Sequence, residues 1–247
     1  MKSNFIDEYK YYTKNVNEGL KRYIEEKIFP QYAQNDYGHR IAHIKEVIKR
    51  SFVLRNNLKL DLKDDMIYAI SACHDWGKYE ETENGEKHGI IAGRKFMEDQ
   101  KMITFFDDEE RLIIKEAIED HSHSLVGTPR SKYGELISSA DRNTKIENVF
   151  IRTFFSGKFK VPNMSVEEYL DFIFKRLAKR YSEENLENMY LEDEIYRTFL
   201  KKMRALLQNE VKFKKKYCEV NHIKSRNNKV RDELGETSYR YNDGEDR

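Results

Sequence analysis

Two adjacent residues, His74 and Asp75, close an apolar stretch that reads AISACHDWGK. An imidazole and a carboxylate side by side at a helix end can both reach a cation lying against that end. They are donors that divalent transition metals accept. A lone His-Asp pair specifies little, because a single histidine is more often a surface or hydrogen-bonded core residue than a ligand. The pair gains meaning from its company: His43 stands upstream, and His88, His121 and Asp141 follow in that order.

The elements that must position these residues are helices. Only three prolines and 11 glycines interrupt 247 residues, and apolar residues recur at spacings of three and four almost throughout, so an all-α chain is expected. Five stripes form the expected core: Ile41, Ile44, Val47 and Ile48; Met66, Ile67, Ile70 and Cys73; Ile91, Ala92 and Phe96; Leu112, Ile113, Ala117 and Ile118; Leu136, Ile137 and Ala140. His121 follows Ala117 and Ile118 at four and three, and Asp141 follows Ile137 at four, which turns both polar groups toward the core side. Buried polar groups need partners, and a metal supplies them.

The ordered set resembles the HD superfamily, whose pattern is a His, a His-Asp pair, one or two further His and an Asp on an α-helical bundle. The stretches HIKEV from His43, CHDWGK, KHGIIAG, AIEDHSH and SADRNT carry the likeness, all within residues 39–145. The resemblance implies an all-α helical bundle of the HD-domain type with additional C-terminal helices, acting as a metal-dependent phosphohydrolase. It implies that His43, His74, Asp75 and Asp141 hold one divalent ion, and that Asp75 bridges to a second held by His88 and His121. Iron or manganese is favoured, with zinc, cobalt, nickel or magnesium as alternatives. Asp75 would orient a metal-activated hydroxide, and Lys78 would stabilise charge developing on phosphorus, so these two are the expected catalytic residues.

Lys78, Arg142 and His123 are the expected substrate contacts. His39 lies four residues before His43 and competes with it for the first-ligand role; His123 is the rival of His121 in HSHS. Family members act on nucleotides of several kinds, so a small phosphorylated molecule of nucleotide type is the expected partner. The family's ppGpp hydrolases carry an acidic pair where this chain has Lys78 and Tyr79, which counts against that substrate. Two other readings stay open: an HD-type di-iron oxygenase, and a nucleotide-sensing protein that turns nothing over.

Composition bounds the rest. The 45 basic and 44 acidic residues leave a charge of +1, so no general basic field points to nucleic acid. No apolar run approaches the roughly 18 residues of a membrane span. Two cysteines, Cys73 and Cys218, and a start without a signal-peptide core point to a soluble protein of a reducing cytoplasm. The expected organisation is an N-terminal helical segment (1–30) ending before Pro30, an HD core (31–160) that opens with a loop over residues 31–38, C-terminal helices packing on it (161–218) and a flexible tail (219–247). Within these, RTFFSGKFK (152–160) reads as a packing loop with base stacking as the alternative, and KFKKK (212–216) as a solvated helix end.

Overall fold

A computed structural model describes residues 8–81, 85–121, 128–183 and 189–233. It is all-α, with no strand among the described residues, and no helix there is long and apolar enough to cross a membrane. The chain divides into two compact units, residues 1–142 with 190–192, and residues 143–189 with 193–247. The unit boundary therefore falls just after Asp141, and not near residue 160 as the sequence suggested.

The first unit contains α1 (Glu8–Tyr12), α2 (Glu18–Tyr23), α3 (Ile41–Asn57), α4 (Asp64–Cys73), α5 (His88–Glu98), α6 (Asp108–Asp120) and α7 (Lys132–Ala140). Its centre is α4, in which every residue from Met66 to Cys73 is buried. A helix that is apolar all round has to be enclosed by others, and α3, α6 and α7 pack around it. α6 starts at a capping box of Asp107 and Glu110, which satisfies donors that the first turn leaves without partners. α5 and α6 approach closely at Gly89, where a Cβ would sit 3.2 Å from the Glu119 carbonyl oxygen. Glycine gives that approach room that a larger residue would have only by shifting the α6 backbone, and it brings the first turn of α5 to the last turn of α6.

The chain does not stop at Pro30. α2 widens into a π-type turn over Ile24–Ile28 and then tightens into a 3-10 helix over Phe29–Gln34. Pro30 sits in the first turn of that 3-10 helix, where its missing N–H costs nothing. Residues 31–34 are thus helical where a loop was expected.

The second unit contains α8 (Ile146–Lys160), α9 (Val166–Arg180), α10 (Glu194–Leu207) and α11 (Glu210–Val220), around its own core of Phe150, Phe154, Tyr169, Leu170, Phe213 and Tyr217. The expected packing loop at 152–160 is helix. Gly157 is held there by packing, since a Cβ would lie 2.5 Å from Tyr169 Cζ. KFKKK is not a purely solvated end either: it lies inside α11, which Asn209 caps. Phe213 is buried, and Lys214 pairs with Asp171 and with Glu210 at 2.8 Å.

The expected tail needs the largest correction. Residues 221–233 return along 162–167, with Val166 N–H donating to Asn228 O at 2.9 Å and Val230 N–H to Met164 O at 2.9 Å. Glu233 then accepts from the Lys224 and Ser225 amides at 2.7 and 2.9 Å. The polar composition that suggested mobility is used for backbone pairing and turn closure; only residues beyond 233 lie outside the described part. Val230 is fully buried, so Val230→Ala is expected to lower unfolding free energy by about 1–2 kcal/mol, at ~0.8 kcal/mol per buried methyl-sized group. Urea denaturation measures this, and an unchanged midpoint would return the segment to the status of a tail.

Candidate metal centre

Helix ends bring the six residues together. His74, His121 and Asp141 occupy the C-caps of α4, α6 and α7; His88 is the first residue of α5, and His43 lies in the first turn of α3. Three helix C-termini carry partial negative charge into one small volume, which favours a cation there.

His74 and His121 use the same local device. Each donates Nδ1–H to the carbonyl three residues back, His74 to Ser71 at 2.9 Å and His121 to Ile118 at 2.5 Å. The bond satisfies a last-turn carbonyl that the helix leaves over and holds a proton on Nδ1, so that Nε2 is the nitrogen able to ligate a cation once any proton on it has left.

Asp75 stands between two sets of these donors. Its Oδ2 lies 3.3 Å from His74 Nε2 and 3.6 Å from His43 Nε2. Its Oδ1 lies 3.5 Å from His88 Nε2 and 3.6 Å from His121 Nε2. Asp141 Oδ1 completes the first set, 3.0 Å from His43 Nε2 and 3.9 Å from His74 Nε2. In the second set the two imidazole Nε2 atoms are 3.0 Å apart. Two ligands on bonds of about 2.1 Å can stand no more than about 4.2 Å apart, and every one of these separations satisfies that bound.

Buried His/Asp groups able to hold a metal ion are therefore present: His43, His74 and Asp75; His74, His121 and Asp141; Asp75, His88 and His121. The fit is sharpened by two buried atoms, His74 Nε2 and Asp75 Oδ2, that make no hydrogen bond. Leaving such atoms unsatisfied is costly unless an ion takes them. Exposure is uneven across the cluster. Asp75 and His121 side chains are each 2% exposed and His74 is 0%, whereas Asp141 is 25% exposed. Asp141 is the most exposed of the six side chains.

The charges are interdependent. Burial opposes a charge on His74, but the Asp75 and Asp141 carboxylates outweigh it and push the imidazole up to about 9. Burial likewise opposes ionisation of Asp75, yet His74, His39 and His121 hold its carboxyl well below the usual range. His88 goes the other way: burial, with His121 beside it, pulls it down to about 4.

Around this set the remaining expected residues take different places. The Lys78 ammonium contacts Glu81 at 2.5 Å and His88 Nδ1 at 2.7 Å, on the far side of that imidazole from the cluster. Arg142 follows Asp141 and directs Nε to Ser138 O at 3.4 Å. His39 is held by Asp36 at 2.8 Å, with its ring 5.8 Å from that of His43, and belongs to none of the ligand groups. Between the two rivals, it is His43 that lies among the donors. His123 lies outside the described residues. Two contacts were not legible in the sequence. Glu81 Oε1 lies 3.3 Å from His88 Nδ1, and Asn35, a neutral residue in an expected loop, bonds to the Asp75 backbone.

An all-α unit holding a His/Asp cluster able to take metal is compatible with an HD-type domain. No protein-family model, curated protein or solved structure matches the chain.

The raised His74 value has a definite consequence for the metal-free protein. A folded pKa of about 9 against an ordinary 6.5 means that His74 contributes stability fully below pH 6.5 and loses it as pH rises through 9. With chelator present, thermal melts are expected to fall across this window. His74→Gln should flatten that dependence; a variant that keeps it would assign the effect to another group.

Proposed function

We propose that the first unit is an HD-type phosphohydrolase domain that binds two divalent transition-metal ions and cleaves a phosphate ester or anhydride, with nucleotides as the substrate class the family resemblance favours. The observation that carries this reading is the division of Asp75, whose two oxygens each face a separate donor set. A carboxylate placed in this way suits a bridge between two closely spaced cations better than a single site. His43, His74, Asp75 and Asp141 would hold one ion, and Asp75, His88 and His121 the other. The mixed imidazole and carboxylate set fits iron or manganese, among other ions.

Bound cations would supply Lewis acidity, lowering the pKa of a coordinated water toward neutrality and offsetting phosphoryl charge. The chain's own residues do the positioning. Asp75 sets the distance between the two sets, and the Nδ1–H bonds to Ser71 and Ile118 hold His74 and His121 in the ligating tautomer. Arg142, beside the exposed Asp141 edge, offers a planar donor fork suited to phosphate. Lys78 adds a cation next to His88.

Elemental analysis after reconstitution with manganese or iron should find close to two ions per chain, one per donor set, and phosphate release from a nucleotide panel should require them. Asp75→Ala should lose both ions and turnover. Recovery of both from that variant would remove the bridging reading, and oxygen uptake without phosphate release would replace hydrolysis by oxidation.

His43→Ala and His39→Ala separate the ligand from its neighbour. The first is expected to lower metal affinity by a factor on the order of 10² or more, and the second by less than about 10-fold, the lower end of what outer partners contribute. The opposite ranking would transfer the ligand role to His39.

A further inference from the structure

Asn35 is 3% exposed and follows the 3-10 helix Phe29–Gln34. Its carboxamide uses both donors and an acceptor: Nδ2 donates to Asp75 O at 3.1 Å and to His39 O at 3.1 Å, and Oδ1 accepts from Tyr79 N–H at 3.1 Å. The Asp75 and Tyr79 bonds bracket the turn that leaves α4, which is also closed by Lys78 N–H to Asp75 O at 3.0 Å. The His39 bond reaches the other segment, the turn that enters α3 and so sets the height of His43.

We propose that Asn35 is a positioning residue for the metal centre, because one side chain ties the backbone of the bridging carboxylate to the turn that launches the His43 helix. The proposal rests on the metal-binding reading above. Tyr32 and Gln31 support the same wall, through Tyr32 O–H to Ala72 O at 2.7 Å and Trp76 Nε1–H to Gln31 Oε1 at 2.9 Å. Those two bonds reach the α4 side, whereas the Asn35 bonds join both ligand-bearing segments. Its chemistry is also specific: a carboxamide presents two N–H donors and a carbonyl in one plane, and no other side chain of that size does.

Asn35→Asp keeps the volume and the acceptor but turns two carbonyls toward a carboxylate. A new negative charge beside the cluster would by Coulomb attraction tighten cation binding, whereas displacement of Asp75 and His43 would weaken it. The sign of the change therefore separates positioning from charge. The test is titration of the metal-free full chain with Co²⁺, read by its d–d absorption, alongside thermal melts. Asn35→Asp is expected to bind Co²⁺ roughly 10- to 100-fold more weakly, the range for partners that orient ligands, with a changed band shape. Tyr9→Phe removes a comparable hydrogen bond on α1, to Glu25 at 2.8 Å. It should lower the melting temperature while leaving affinity and spectrum as in the wild type.

Asn35→Ala, which removes the donors without adding charge, carries the same expectation and serves if Asn35→Asp does not fold. Wild-type affinity and spectrum in a folded Asn35 variant overturn the proposal while leaving the metal reading intact. A wild-type chain that gives no cobalt spectrum overturns the metal reading itself, and this proposal with it.

Discussion

The first unit is organised around a buried carboxylate. Asp75 is 2% exposed, and an ion removed from water to that extent is tolerated only if its surroundings repay the lost hydration. Here four imidazole nitrogens lie between 3.3 and 3.6 Å from its two oxygens. Without metal, protonation of His74 supplies the compensating charge, and for this reason that imidazole is pushed up to about 9. A bound metal ion would take over that role and the proton would have to leave, so metal binding would release a proton at this residue.

That arrangement depends on where helices end more than on what their faces carry. α4 is enclosed on all sides, so its only polar chemistry can be placed at its end, and His74 and Asp75 stand there. α6 and α7 end beside it on His121 and Asp141, and α5 begins there on His88. Gly89 permits the close contact that sets His88 opposite His121, and Arg50 fastens the last turn of α7 by donating to Ala140 O at 3.0 Å and Ser139 O at 3.3 Å. The irregular stretch between α2 and α3 supplies the hydrogen bonds from Tyr32 and Asn35 to the end of α4. The second unit has a separate aromatic core, and the three groups able to hold metal among the described residues lie in the first.

Much of this was legible in the sequence. The spacing of apolar residues specifies helices because a helix buries a stripe at three and four, and it determined the all-α class and the course of α3 to α7, although Leu112, expected on the core stripe, is exposed on α6 while Ile114 is buried. The order His43, His74, Asp75, His88, His121, Asp141 marked the residues that the fold gathers, because imidazole and carboxylate are distinctive chemistry and each stands at the end or start of an apolar stripe. Tertiary structure decided what one-dimensional spacing cannot carry. It divided Asp75 between two donor sets, separated His43 from His39 and turned Lys78 toward the outer nitrogen of His88, because these are matters of distance between segments remote in sequence. It also recruited Asn35, whose neutral side chain carries no mark of its role, and packed residues 221–233, whose partners are backbone groups of 162–167. Composition records whether a segment can bury apolar surface, but a backbone hydrogen bond can be made by almost any residue, and only the folded chain reveals where such bonds are made.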